Sequence, residues 1–194
     1  MGLFLESSAS SAPSQWVRHW SHLVPAGGRV LDLACGHGRH MRWFASRGHP
    51  VVGVDRCAEA IAAASAFGHG VVADIESDPW PLRTQDGQPE TFAAVVVSNY
   101  LWRALFGRIV ESLQPGGVLL YETFAVGQET IGKPARAEFL LQPGELLRAF
   151  GELKVIAFED GFSDSPARFV QRIAAVKPPL DRASADEPVR YRLT

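Results

Sequence analysis

The stretch from Arg29 to His40, Arg-Val-Leu-Asp-Leu-Ala-Cys-Gly-His-Gly-Arg-His, narrows the possible folds more than any other part of the chain. Val30, Leu31 and Leu33 form the near-continuous apolar run of a buried parallel strand. The spacing then changes to Met41, Phe44 and Ala45, the three-and-four rhythm of a helix. The change falls at Gly36 and Gly38, where glycine lets the backbone turn sharply and approach a ligand. The N–H groups of the helix start are expected to be free there, as donors to a polar group above the sheet. Strand, tight loop and helix in this order predict a parallel sheet holding a nucleotide-like cofactor over the loop.

A dinucleotide-binding loop also places Gly-x-Gly after a strand, but its third small residue is replaced here by Met41. Asp32, just ahead of the loop, suits a cationic ligand better than a pyrophosphate. The wider pattern Asp-x-Ala-Cys-Gly-x-Gly-Arg resembles the first motif of class I S-adenosylmethionine-dependent methyltransferases. An NAD-dependent oxidoreductase is the competing reading of the loop taken alone.

With 194 residues, 46% of them hydrophobic, the chain has material for one globular domain with a sizeable core. The formal net charge is -2, and no stretch gathers Lys and Arg into a basic stripe. Nucleic acid is therefore not the expected substrate, and a small molecule is. Cys35 and Cys57 do not make a disulfide framework, so a reduced compartment is expected. Leu3-Phe4-Leu5 is too short for a signal segment or a membrane span, which predicts a soluble, cytoplasmic protein with no membrane partner. Nothing in the sequence speaks to oligomeric state.

Taken in order, residues 1–14 read as a flexible arm, 15–177 as the domain and 178–194 as a Pro-rich, charged tail. Trp16, Val17, Trp20, Leu23 and Val24 fit a helix ending at Pro25-Ala-Gly-Gly28; its two tryptophans belong either to the core or to a lid. Pro50 to Asp55 is a second strand. Asp55 lies about twenty residues past the loop, where an acid can bind both ribose hydroxyls, although it could also cap the helix expected over Arg56 to Phe67. Gly70 to Asp74 is a third strand ending in an acid, and Asp74 could equally be a turn former ahead of Glu76-Ser77-Asp78-Pro79. Glu76 to Glu90 is an irregular connection, and Phe92 to Ser98 is the strongest buried strand. Leu101, Leu105, Ile109 and Leu113 form the stripe of a helix stopping before Pro115-Gly-Gly117, and a strand follows over Val118 to Phe124. Ala125 to Glu138, with Glu129, Lys133 and Arg136, has the length and composition of a functional loop. A short helix over Pro143 to Phe150 precedes an antiparallel pair, Leu153 to Phe158 and Phe169 to Val176. This order predicts an α/β fold, a three-layer, doubly wound and mostly parallel sheet with a reversed edge strand.

Over Gln15 to Lys177 the chain resembles a small class I methyltransferase with the seven-stranded, Rossmann-like sheet of that family. Within the family it is most similar to bacterial proteins of the tellurite-resistance type. That likeness rests on Asp-Leu-Ala-Cys-Gly-His-Gly-Arg-His40, Gly-Val-Asp55, Ser-Asn-Tyr-Leu-Trp-Arg103 and Tyr-Glu-Thr-Phe124 to Leu-Gln-Pro-Gly-Glu145. The resemblance implies S-adenosylmethionine as cofactor, with Asp74 meeting the adenine amino group and Ile75 packing on the ring. Asp32, Ala34, Gly36, Gly38, Arg39, Asp55, Arg56 and Asn99 complete the expected cofactor set. Tyr100, Trp102, Arg103, Tyr121, Glu122 and Arg136 are the acceptor-site candidates, and no histidine is singled out as a general base. Arg103 and Arg136 either clamp an anionic acceptor or are structural, Arg103 pairing with a carboxylate such as Glu122 and Arg136 solvated on its loop. Cys35 stands where other members often have Gly and reads as small packing. His37, His40 and His49 are too scattered for a metal site. The implied reaction is methyl transfer to a small nucleophile; a non-catalytic protein that binds the cofactor for regulation is the alternative.

Overall fold

The computed structural model describes residues 12–179 and 189–193. The first helix, α1 (Gln15–Trp20), starts where the Ser14 side chain accepts the Val17 N–H, an N-cap, and continues as a 3-10 turn over Ser21–Leu23. Trp16 and Trp20 are both buried, and the Trp16 indole donates to the carbonyl of Ile173 at 3.2 Å. The tryptophans are core, not lid.

Alternation of strand and helix then follows the apolar pattern: β1 (Val30–Leu33), α2 (Arg39–Ala45), β2 (Val51–Asp55), α3 (Ala58–Ala64), β3 (His69–Val72) and β4 (Phe92–Ser98). The remaining elements are α4 (Phe106–Glu111), β5 (Leu113–Phe124), α5 (Glu145–Ala149), β6 (Lys154–Asp164) and β7 (Ala167–Val176). All seven strands form one sheet in the order β3-β2-β1-β4-β5-β7-β6. Only β7 runs against its neighbours, so the expected antiparallel pair closes that side, with β6 flanking β7. The chain winds outward from β1 to β3 and then crosses to β4, which puts the topological switch between β1 and β4.

Strands buried on both faces explain the continuous apolar runs. Leu31, Leu33, Val95, Val97, Leu119 and Ile173 fill one face under α4 and α5. Val30, Val96, Leu120 and Ala174 fill the other, against Trp16, Met41 and Phe44. Each such side chain contributes about 1.5–3 kcal/mol on leaving water.

Three boundaries differ from those read in the sequence. Leu101, Leu105, Ile109 and Leu113 are all buried as expected, but a 3-10 turn (Arg103–Leu105) and α4 carry only the middle of the stripe. Pro115 drives the residue before it out of helical geometry, so Leu113 instead pairs with Phe92 and β5 begins there, ahead of the Pro-Gly-Gly turn. The β3 edge strand ends at Val72, which leaves Asp74 in the following turn. The final hairpin is longer than its apolar core, because polar cross-strand pairs such as Glu159 and Arg172, 2.9 Å apart, extend it.

Most of the expected N-terminal arm, and residues 180–188 of the expected tail, lie outside the described residues. Residues 189–193 return to the domain, where Tyr191 packs on the α1 side of the core beneath the Lys154 ammonium. No helix among the described residues is long and apolar enough to cross a membrane.

Candidate active site

A cleft of about 420 Å³ opens at the carboxyl ends of β1, β2, β3, β4 and β5, beside the switch point. Ala34, Asp55, Arg56, Asp74, Ile75 and Asn99 line it, so six of the ten expected cofactor residues converge from four strand ends. Ala34 (φ 51°) and Asn99 (φ 56°) are the only non-glycine residues in the described chain with left-handed backbone. They sit where β1 and β4 stop, and strain of this kind concentrates at ligand sites.

The glycine loop works differently from the amide cradle read in the sequence. The Gly36 N–H donates to Asp55 Oδ2 at 2.9 Å, and the Gly38 N–H donates to the Cys35 carbonyl. Neither amide is free for a ligand. Gly38, which caps α2 in left-handed geometry, is needed for packing: a Cβ there would lie 2.9 Å from Ala64 Cβ in α3. At Gly36 the same construction meets nothing, and the position opens on space.

Asp55 joins the loop to the helix after it. Its Oδ1 accepts the Cys57 N–H and its Oδ2 the Gly36 N–H, both at 2.9 Å. The cap position of α3 itself is Cys57, so Asp55 holds the turn ahead of that helix, and each of its carboxylate oxygens keeps a further acceptor. Asp74 is likewise both a turn former and part of the lining. It accepts the Glu76 N–H and the Ser77 hydroxyl, and these bonds hold its pKa below the usual carboxylate value. Across the cleft the Tyr100 hydroxyl donates to Glu76 at 3.2 Å. Burial, together with the Glu76 charge, pushes the Tyr100 phenol far up and keeps it protonated.

The other expected cofactor residues stand behind the lining. Asp32 is 1% exposed; the His40 ring lies 3.8 Å from its Oδ1, and its Oδ2 has no hydrogen-bond partner among the described residues. An orphaned carboxylate oxygen two residues from Ala34 fits a cofactor that carries positive charge. Arg39 donates to Ser98 at 2.9 Å, and Ser98 donates to Glu122. Burial pushes the Cys35 thiol far up, so Cys35 is packing and not a nucleophile.

Of the acceptor-site candidates, Tyr100 alone lines the cleft. Trp102 is exposed, and the fully buried Tyr121 spends its hydroxyl on the Tyr100 carbonyl at 3.0 Å. Glu122, also buried, is met by Arg172 at 3.3 Å and Arg168 at 3.5 Å from β7. Arg103 pairs with Glu145 instead of Glu122, and Arg136 pairs with Glu138. Both guanidinium groups are thus matched to carboxylates, and neither residue lines the cleft. Sequence reading missed Thr123, Phe124, Pro134 and Phe139 in the lining. The length of the loop after β5 hinted at Pro134 alone; Thr123 and Phe124 end β5, and an aromatic residue such as Phe139 signals core first in one sequence.

Comparison with known proteins bears on this site. A family profile described as a methyltransferase domain matches residues 30–117. The chain is 32% identical over 137 residues to the tRNA U34 carboxymethyltransferase of Methylococcus capsulatus, covering 66% of this chain and 42% of that protein. It is 31% identical over 110 residues to the thiopurine S-methyltransferase of Pseudomonas fluorescens, covering 56% and 46%. It thus spans less than half the length of these curated relatives. The crystal structure of TehB from Haemophilus influenzae superposes with a TM-score of 0.70 at 15% identity, over 88% of this chain and 64% of that one, a likeness of fold. The profile match begins at the first residue of β1 and runs to the Pro-Gly-Gly turn of β5, so it takes in the cleft from Ala34 to Leu101 and stops short of Thr123, Phe124, Pro134 and Phe139. That match and this sheet make residues 30–117 a methyltransferase domain on the doubly wound fold that TehB shares.

Proposed function

We propose that the protein transfers the methyl group of S-adenosylmethionine to a small-molecule nucleophile. The observation that carries this is the convergence of Asp55, Asp74 with Ile75, and Asn99 on one cleft at the switch point. Asp55 has one acceptor left on each oxygen for two vicinal hydroxyls, and Asp74 with Ile75 offers an acceptor and an apolar face side by side for a purine. Asp32 adds a buried carboxyl group two positions before Ala34. When bound, the cofactor supplies a methyl carbon made electrophilic by its sulfonium. What remains for the protein is to hold the nucleophile in line and exclude water, an effect worth at most about 7–11 kcal/mol. Tyr100, kept as a phenol, and the apolar residues around it can order an acceptor without acting as a base.

The test is calorimetric titration with S-adenosylhomocysteine, followed by incubation with S-adenosylmethionine and a panel of thiols, small acids and metalloid oxyanions. Micromolar binding with accumulation of S-adenosylhomocysteine is expected. Binding without turnover against a cell-extract metabolite pool would favour the non-catalytic alternative. No binding would sink the assignment.

A further inference from the structure

The side of the cleft beyond the methyltransferase-domain match has a distinct chemistry. Its wall is Phe124 at the end of β5, with Pro134 and Phe139 from the loop that follows. The ionised groups lining the whole cleft are Asp55, Asp74 and Glu76 against Arg56, an excess of negative charge. An anionic acceptor would be repelled there, whereas a neutral apolar group gains by leaving water against aromatic faces.

Phe139 does not stand in this wall by itself. Arg103 donates through Nη1 to the Glu138 carbonyl at 2.7 Å and through Nη2 to the Leu140 carbonyl at 2.9 Å, the two peptide oxygens that flank Phe139. The same guanidinium donates to both carboxylate oxygens of Glu145, at 2.6 and 3.0 Å. Four bonds from one rigid planar group fix the loop to the segment that leaves β4. Arg136, paired with Glu138, lies over the Phe139 ring at 4.9 Å from its centroid. Both arginines that the sequence offered as anion ligands are thus committed to the placement of one phenylalanine.

We propose that Phe124, Pro134 and Phe139 form the acceptor subsite, that it takes a neutral molecule presenting a flat, apolar, preferably aromatic group, and that Arg103 is the positioning residue that sets Phe139 against it. This rests on the methyl-transfer assignment above. The test uses two small thioethers that differ in the group attached to sulfur, benzyl methyl sulfide and methylthioacetate. Each is titrated by calorimetry into the free protein and into protein saturated with S-adenosylhomocysteine. Benzyl methyl sulfide is expected to bind about tenfold or more tightly than methylthioacetate. Phe139→Ala and Arg103→Gln should each remove most of that preference and leave S-adenosylhomocysteine affinity intact. Amide hydrogen exchange at Phe139 and Leu140 should quicken in Arg103→Gln, and Glu145→Gln, which keeps both carbonyl contacts, should retain the preference. Equal or tighter binding of methylthioacetate, or a wild-type preference in Phe139→Ala, would overturn the subsite. Normal preference and exchange in Arg103→Gln would remove Arg103 from it. Loss of S-adenosylhomocysteine binding by the wild-type protein, with the sulfide preference retained, would sink the methyl-transfer assignment and leave the apolar subsite standing.

Discussion

Asp55 serves two backbone amides and, in the proposed function, two hydroxyls, so replacing it tests both at once. Asp55→Asn keeps one oxygen and loses the acceptor that meets the other amide or hydroxyl. Cofactor affinity should fall about 10- to 100-fold, the size of one charge-assisted hydrogen bond of roughly 1.5–3 kcal/mol. Calorimetry with S-adenosylhomocysteine on the folded variant measures it, and unchanged affinity would remove Asp55 from the ribose site. A second residue-scale prediction concerns the two cysteines. Cys35 is buried, and burial with the nearby Asp32 and Asp55 charges raises its thiol far above the ordinary value, while Cys57 is exposed. A disulfide reagent at pH 8 should titrate Cys57 alone in the native protein and both thiols after unfolding. Rapid modification of Cys35 in the native state would contradict its burial. The sequence allowed Asp55 both a cap and a ligand role; the structure puts the cap at Cys57 and gives Asp55 two backbone amides, an arrangement no local pattern contains, with a lone pair left on each oxygen.

At the scale of elements, the glycine loop was legible as a turn but not in its hydrogen bonding. Which acceptor reaches the Gly36 amide depends on β2 lying beside β1, a pairing that a local pattern does not contain. Gly38 is similar, since its close neighbour is Ala64 in the next helix. Gly38→Ala should destabilise the fold by about 1–3 kcal/mol, from left-handed strain plus overpacking, as read by urea denaturation. A neutral effect would mean that α3 yields freely. The contact between Arg103 and Glu145 gives a pH-dependent prediction. Burial pushes the Glu145 carboxyl up, but the hydrogen bond from Arg103 and the Gln142 amide outweigh it and leave it below its ordinary value of 4.5. A carboxylate held lower in the folded state contributes stability that is present above the unfolded value and lost as pH falls through the folded one. The wild-type protein should therefore exceed the Glu145→Gln variant in denaturation midpoint by a constant margin well above pH 4.5, and lose that margin progressively as pH falls below it. Parallel curves down to pH 3 would show that the pair contributes nothing to folding.

For the whole molecule, the sheet was legible because parallel strands buried on both faces write themselves as apolar runs, from Val30 to Leu33, Val51 to Val54 and Phe92 to Val97. What joins distant ends was not. The Trp16 indole bonds the Ile173 carbonyl across 157 positions of sequence, fastening the first helix to the last strand. No local spacing encodes that contact, and two tryptophans on a short helix, which most often mean core packing, also leave a lid open. The two roles make opposite predictions. If Trp16 is a fastener, Trp16→Phe keeps most of the apolar contact and loses one hydrogen bond, costing about 0.5–1.5 kcal/mol, whereas Trp16→Ala empties a core site and costs about 3–5 kcal/mol. S-adenosylhomocysteine affinity should be unchanged in Trp16→Phe, because α1 packs on the sheet face and Trp16 is not part of the cleft lining. A lid would show the reverse, near-normal stability in both variants with weaker ligand binding. Urea denaturation and calorimetry on the same two proteins separate the cases, and the reverse pattern would mean that the first helix opens in solution.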